Sequence, residues 1–224
     1  HQLGHALIKN VTLSIGGSQI DKQYGVWLEI WDQLSRSNNS DSAMTAMVDP
    51  NTTAGASTDN LFVPLQFFCN RNPGLALPLI ALQYHDVRVE FEFETAKNSC
   101  GGGCGGNGTA SISNANLLVD YIYLDSEERK RFAQASHEYL IEQLQYTGVE
   151  SGVNGTGNKF RLNFNHPCKE LVWAATNCAS GPADVSVSKA NNFGSAATKA
   201  AGVNPVKTAQ LQLNGHDRMS TQSG

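Results

Sequence analysis

The sequence predicts an all-β fold, an antiparallel sandwich that carries short helices and long loops. Three observations support this prediction. Apolar and polar residues alternate with a period of two in several segments, which is typical of strands with one buried and one exposed face. Long polar stretches separate these segments, and full-length helices do not alternate with them. The pattern therefore favours antiparallel sheets over a parallel α/β sheet.

The predicted strands differ in how many of their faces are apolar. In DVRVEFEFE, apolar side chains from Val87 to Phe93 alternate with charged ones, so one face should pack on a core. LFVPLQFF and LLVDYIYLD are apolar on both faces and should be more fully buried, although Pro64 cannot donate to a ladder and predicts an edge or a bulge. In chain order the predicted strands are NVTLSI (10–15), LFVPLQFF (61–68), DVRVEFEFE (86–94), LLVDYIYLD (117–125), KFRLNFN (159–165) and TAQLQLN (208–214).

Two short helices are predicted between the strands. In LDSEERKRFAQ, Asp125 can cap the first helical amides, and Glu128 stands at the spacing of a capping box. This helix would join two strand-rich halves. The other helix, GVWLEIWDQL (25–34), has four apolar residues at i, i+3, i+4 and i+7 that should lie against a sheet: Trp27, Ile30, Trp31 and Leu34.

Four stretches contain too few apolar residues to form a core and are predicted to be loops. Strands joined by loops of this length are typical of a jelly-roll sandwich. Because strand pairing sets the fold, such loops can lengthen at a cost of only about 0.6 kcal/mol per doubling. The four stretches are residues 36–60, 97–116, 150–158 and 176–207.

Composition excludes several classes of function. The chain has 16 Lys and Arg against 20 Asp and Glu, a net charge of -4, and therefore lacks the basic excess that direct nucleic-acid binding needs. No apolar run approaches the roughly 18 residues of a membrane helix. The chain begins without Met and inside a strand-like pattern, so we expect it to be a fragment of a longer protein.

The glycine-rich stretch NSCGGGCGGNGT, residues 98–109, has four competing interpretations. A phosphate-binding loop would need Lys followed by Ser or Thr and a helix, and here a strand-like segment follows instead. A metal site would need about four soft ligands, and Cys100 and Cys104 are one loose pair. A disulfide between Cys100 and Cys104 would require oxidation after assembly, because five scattered cysteines fit a reducing compartment. A plain exposed loop is the favoured interpretation.

No catalytic cluster is apparent. Adjacent residues on a strand point to opposite faces, so His85 and Asp86 are badly placed to act as a base and its orienting acid. His137, His166 and His216 stand apart in sequence, and we predict no catalytic, cofactor-binding or metal-binding residue.

Five Asn-x-Ser/Thr sequons occur, and a glycan would fit best on those in predicted loops. The sequons are at Asn10, Asn38, Asn51, Asn107 and Asn154, of which Asn51, Asn107 and Asn154 are the preferred glycosylation sites.

Several long segments resemble the major capsid protein of nucleocytoplasmic large DNA viruses, especially the algal-virus (phycodnavirus) branch. The segments are IGGSQIDKQYG, FVPLQFFCNRNPGLALPLIALQYHDVRVEFEF, VDYIYLDSEERKRFAQASHEYLIEQLQYTG, RLNFNHPCKELVW and LQLNGHDR. The resemblance implies a double jelly roll of two consecutive eight-stranded sandwiches. It also implies that three chains form a pseudo-hexagonal capsomer that tiles an icosahedral shell.

The chain departs from the complete family pattern at both ends. The family's strands before LGHALIKN and the closing part of the second jelly roll after NGHDR are missing, and Ser136 stands where the family usually has Pro. Residues 1–140 would form most of the first jelly roll and 141–224 the beginning of the second, with the boundary between 135 and 148. Because such a piece exposes sheet edges, we expect it to aggregate when expressed alone.

The resemblance implies a structural protein without catalysis or cofactors. Its partners would be itself, as a homotrimer and as neighbouring capsomers, and minor capsid proteins, but not nucleic acid directly. It would be located in the virion, after synthesis and assembly in the host cytoplasm. A carbohydrate-binding jelly-roll module is the alternative, and it would need aromatic side chains in its loops. A β-sandwich enzyme using His85 or His166 is a third hypothesis.

Overall fold

A computed structural model describes residues 3–37, 41–48, 60–95, 111–150, 157–175 and 206–223. A three-stranded antiparallel sheet organises the first part of the chain, with β1 (Ile8–Ile15) between β2 (Ser18–Tyr24) and β3 (Val87–Phe93). The predicted strands at 10–15 and 86–94 are therefore confirmed. Val11 pairs with Phe91 and Leu13 with Val89, so apolar side chains of neighbouring strands share a face.

A two-residue turn joins β1 to β2. Gly16 and Gly17 both have positive φ, 58° and 80°, which is the backbone that tight hairpin turns of matching twist require. The Gly16 amide donates to the Asp86 carbonyl at 3.0 Å, and a Cβ at Gly16 would lie 2.7 Å from His85 Nδ1. The hairpin tip is thereby attached to the start of β3, which fixes the register of all three strands.

Helix α2 (Gly25–Ser35) forms where it was predicted, but it buries a different face. Leu28, Glu29 and Asp32 are buried, whereas Leu34 is 60 % exposed. The prediction failed because it used apolar spacing alone, whereas the buried face of this helix includes charged residues that are paired with other side chains. His5 Nδ1 lies 3.0 Å from Glu29 Oε2, and Arg36 pairs with Asp32.

Two further helices pack with α2 beside the sheet. Helix α1 (Leu3–Leu7) precedes β1, and α3 (Asp41–Val48) lies within residues 36–60, so the prediction of a loop there is wrong. In α3, Met44, Met47 and Val48 have helical spacing, and Val48 is fully buried. The sequence prediction missed this short apolar stripe because the residues around α3 are mostly polar.

The hydrophobic core lies between the sheet, α2 and the segment after residue 60. That segment is irregular up to α4 (Phe68–Arg71) and a 3₁₀ turn (Pro73–Leu75), so the strand predicted at 61–68 is not formed. Its buried anchors are Phe67 and Phe68. The buried core residues are Ile8, Val11, Leu13, Leu28, Phe67 and Phe68, and Ile141 packs against them from far along the chain.

The helix predicted after Leu124 is confirmed as α5 (Ser126–Gln134). The Asp125 side chain accepts from the Glu128 amide, and Glu128 Oε2 accepts from the Asp125 amide at 3.4 Å, which is the predicted capping box. Ala135 ends the helix. Acidic residues in its first turn complement the positive end of the helix dipole.

The strands predicted at 117–125 and 159–165 are not formed, since both segments are without secondary structure apart from bends. A strand requires a hydrogen-bonded neighbour, and in the described part of the chain neither segment has one. The segment TAQLQLN forms two short strands instead of one. β4 (Thr208–Ala209) pairs with β7 (Gln222–Ser223), and β5 (Gln212–Leu213) pairs with β6 (His216–Asp217).

The β5–β6 turn is Asn214-Gly215, both with positive φ, and this dipeptide is a hairpin signal that the sequence prediction overlooked. Every sheet in the described residues is antiparallel. The prediction is thus confirmed for antiparallel sheets with short helices, and the jelly-roll sandwich stays a prediction.

Candidate assembly surface

The most prominent candidate site is a set of exposed apolar side chains on the unpaired segments. In residues 117–123, apolar side chains point to solvent in both directions, and Tyr123 is 93 % and Leu118 78 % exposed. Monomeric soluble proteins rarely expose contiguous apolar surface of this kind. We call the following residues the apolar surface: Ile112, Leu117, Leu118, Val119, Tyr121, Ile122, Tyr123, Phe160, Leu162, Val172 and Trp173.

The same segments also lack strand partners. Within the described ranges, residues 111–124 and 157–175 belong to no ladder. Extended backbone outside a ladder is a template for pairing with another strand. Exposed apolar side chains and extended backbone therefore occur together in these segments, and both suit burial against more protein.

The preferred modification sites lie outside the described residues. These are the glycosylation candidates and the disulfide candidates, and they remain predictions. They are Asn51, Asn107, Asn154, Cys100 and Cys104. Of the other cysteines, Cys69 is half-buried and Cys168 is exposed, and both are free thiols.

The sequon at Asn10 is inside the sheet and is not accessible. Asn10 is only 7 % exposed, and its Nδ2, the atom that would carry a glycan, donates to Glu92 Oε2 at 2.5 Å. Glu92 also accepts from Lys9. The hydrogen bonds from Lys9 and then Asn10 hold the pKa of Glu92 below its usual range, and the same contact with Glu92 raises the pKa of Lys9.

The histidines do not converge. His85 is exposed beside Gly16, and His137 stacks on Phe132 with its Nε2 2.7 Å from the Phe132 carbonyl. His5, which the sequence analysis did not single out, is the buried one, paired with Glu29. In the described ranges, no three His, Cys, Asp or Glu side chains are grouped so as to hold a metal ion. The described helices are also too short or too polar to cross a membrane.

A shallow cleft of about 190 Å³ lies between residues 145–150 and 161–164. Two aromatic rings, Tyr146 and Phe164, and one ion of each sign, Glu150 and Arg161, line it. Burial is the main cause that raises the pKa of Tyr146, followed by the neighbouring Tyr24. The cleft is smaller than the 300–1,000 Å³ that is usual for sites of drug-sized ligands.

Comparison with known proteins identifies the class of protein first. The chain superposes on the solved structure described as "PBCV-1 virus capsid, quasi-atomic model" with a TM-score of 0.73 and 34 % identity, over 100 % of this chain and 60 % of that one. A second capsid structure, of PBCV-1 VP54 fitted into a reconstruction of the virophage Sputnik, gives a TM-score of 0.70. The chain therefore shares the fold of viral coat proteins, and its antiparallel sheets and exposed apolar surface occur within that fold.

Family models then specify which coat protein. Residues 1–125 match "Major capsid protein N-terminus" and residues 128–224 match "Large eukaryotic DNA virus major capsid protein". The chain belongs to this family of major capsid proteins, as its sequence motifs implied. It is 44 % identical to the major capsid protein of Pyramimonas orientalis virus and 39 % identical to that of Paramecium bursaria Chlorella virus 1. It spans 51 % and 55 % of the lengths of these two relatives, while 98 % and 97 % of this chain is matched.

Proposed function

We propose that this chain is part of a capsid protein that forms homotrimers, which act as pseudo-hexagonal capsomers in the icosahedral shell of a large double-stranded DNA virus. The apolar surface carries the proposal, because a coat protein buries such surface between its domains and between its copies. Interfaces that hold permanent subunits together typically bury about 2,000 Å² or more and are apolar at the centre. Membership of the capsid protein family supports the same function.

The proposed architecture is a double jelly roll. Residues 1–140 would supply most of the first sandwich and residues 141–224 the beginning of the second. In that architecture the extended segments at 117–123 and 159–165 become strands once their neighbours are present. Residues 117–123, which are apolar on both faces, suit an interior strand, whereas residues 159–165, in which apolar and polar residues alternate, suit a strand with one buried face.

The proposed partners are other copies of the same protein, in the trimer and in neighbouring capsomers, and minor capsid proteins. The net charge of -4 suits a shell more than direct contact with nucleic acid. The role is structural and not enzymatic, in the virion, following assembly in the host cytoplasm.

The test is the size of the particles formed by the complete reading frame that carries this sequence. Analytical ultracentrifugation and electron microscopy should show trimers. Trp173→Asp should reduce the yield of trimer, because it places a charge in the apolar surface outside the two segments that become strands, whereas Ser111→Asp, at an exposed polar position, should not. Monomers under every assembly condition would contradict the proposal.

The cleft at residues 145–164 favours one second function, binding of a carbohydrate. Tyr146 and Phe164 are the aromatic residues of its lining, and Glu150 and Arg161 supply hydrogen-bonding groups. Its volume would admit about one sugar unit. Binding on a glycan array that Arg161→Ala abolishes would support this function, and an array without signal would reject it.

A further inference from the structure

An extended segment, residues 137–146, crosses from α5 back to the central sheet, and we call it the clasp. It has no assigned strand, yet its side chains alternate. Tyr139 and Ile141 turn inward, and Leu140 between them is 86 % exposed. Ile141 packs on the core formed by residues 8–68. The side chains of the clasp therefore pack like those of a strand, with alternate residues facing inward, but its backbone is not part of a ladder in the described residues.

The clasp covers the outer edge of β2 through side-chain contacts. The Leu144 amide donates to Asp21 Oδ1 at 3.1 Å, and Gln143 Nε2 donates to the Ile20 carbonyl. The rings of Tyr146 and Tyr24 are 4.7 Å apart. β2 pairs with β1 on its other side, so the clasp occupies an edge that would otherwise be open to foreign strands.

Ionic and polar contacts hold the middle of the clasp. Tyr139 Oη donates to the Ala76 carbonyl at 3.2 Å. Glu142 lies 3.4 Å from Arg71 Nη1 and also pairs with Lys169. Arg71 in turn stacks over the Trp31 ring of α2 at 4.5 Å. Glu142 thus connects helix α2, through Arg71, to the segment that carries Lys169.

Asp21 is the buried anchor of the clasp. Its carboxyl group is 3 % exposed and accepts from Gln23 Nε2 at 2.9 Å as well as from Leu144. A buried carboxylate is costly even when it is hydrogen-bonded, because it has lost its hydration. The charged or titratable groups on and around the clasp are Lys22, Tyr24, Arg71, His137, Glu138, Tyr139, Glu142, Tyr146 and Lys169.

We propose that the clasp is a conformational latch, docked on β2 by Asp21 and on α4 by Glu142, that releases while the central sheet stays folded. β1 is held by ladders on both sides, whereas the contacts of the clasp with β2 use side chains. Elements with few backbone bonds to their neighbours open at lower free energy than the core. The latch lies within one chain and joins the regions that the two family models match, so it does not depend on shell assembly.

The pKa values of the two anchors are displaced in opposite directions. Burial is the main cause that raises the pKa of Asp21, whereas the hydrogen bonds that its carboxyl group accepts, including the one from the Leu144 amide of the clasp, lower it. The hydrogen bond from Lys169 is the main cause that lowers the pKa of Glu142, so the contribution of this ion pair is present above the usual pKa of Glu142 and is lost as pH falls through the lowered value.

Amide hydrogen exchange in the full-length protein at pH 7 tests the latch. The Leu144 amide should be protected, but less than the Leu13 amide in β1. In Glu142→Gln, which loses the ion pairs with Arg71 and Lys169, protection of Leu144 should fall severalfold while that of Leu13 is kept. Asp21→Ala should have the same effect because it removes the acceptor of the Leu144 amide, whereas Asp21→Asn, which keeps an oxygen there, should have a smaller one.

Protection of Leu13 shows whether each variant is folded. Lys159→Gln, which removes an exposed charge that none of the clasp contacts named above uses, is the matched control and should follow the unsubstituted protein. Equal protection of Leu144 and Leu13 would overturn the proposal, because the clasp would then open only on global unfolding. Unchanged protection of Leu144 in both Glu142→Gln and Asp21→Ala would overturn it as well. Particle size, measured separately, reports on the assembly proposal.

Discussion

Gly25→Ala should strongly destabilise the protein, for a reason that is purely steric. Gly25 is the first residue of α2, where the helix meets the end of α1 and the start of β1. A Cβ at this position would lie 2.1 Å from the Ile8 carbonyl oxygen and 2.3 Å from the His5 carbonyl oxygen. Both obstacles are backbone atoms, so neither can turn aside as a side chain could.

To restore a normal contact, the end of α2 would have to move by about 1 Å in a close-packed region. Overpacking of this kind costs about 1–3 kcal/mol. The shift would also strain the buried hydrogen bond between His5 and Glu29, and a buried polar group left without its partner costs about 1–3 kcal/mol. We therefore expect a loss of about 3 kcal/mol in the free energy of unfolding, or about 6–12 °C in Tm.

Calorimetry of the full-length protein provides the measurement, with two graded controls. Gly157→Ala has open space around its Cβ and should leave Tm unchanged within about 1 °C. Gly4→Ala should be intermediate, because its nearest obstacle is the Val63 side chain at 2.8 Å, which can move. If Gly25→Ala shifted Tm no more than Gly157→Ala, the steric reasoning would be refuted.

Four further outcomes are expected. Asp125→Ala should remove the capping box of α5 and cost about 1 kcal/mol, measured by chemical denaturation, and an unchanged midpoint would contradict the role of the cap. Cys168 should react with a thiol reagent before Cys69, because burial raises the pKa of the Cys69 thiol, and mass spectrometry of the alkylated protein would detect a reversed order. Glu92→Gln should make the protein lose less stability as the solution is acidified. The ionised Glu92 stabilises the fold above its usual pKa, and this contribution disappears as pH falls through its lowered pKa. Thermal melts from pH 6 to pH 3 that parallel those of the unsubstituted protein would argue against this. Residues 1–224 expressed alone should self-associate through their open edges, and a monodisperse monomer in light scattering would contradict that expectation.

Sequence patterns predicted the elements whose determinants are local. Strands β1 and β3 follow from alternation, and α5 follows from the spacing of Asp125 and Glu128. The buried face of α2 could not be predicted in this way. It depends on His5, which is 24 residues from its partner Glu29, and apolar spacing carries no information about such a pair.

The strands predicted at 117–125 and 159–165 show a different limit. Alternation or apolarity indicates what a segment would do beside a neighbour, but it does not supply the neighbour. The same apolar residues that predicted buried strands therefore form the exposed surface that carries the assembly proposal. The clasp was likewise not predicted, because its contacts with Asp21 and Arg71 join residues more than seventy positions apart.

The hydrogen bond between Asn10 and Glu92 has a consequence for the order of events in the cell. A glycosyltransferase needs Asn10 Nδ2 free, and this atom is free only before β1 pairs with β3. A glycan attached that early would then occupy the space that Glu92 takes in the sheet. Modification at Asn10 and completion of the sheet are mutually exclusive, so folded particles should carry an unmodified Asn10 whichever other sequons are used.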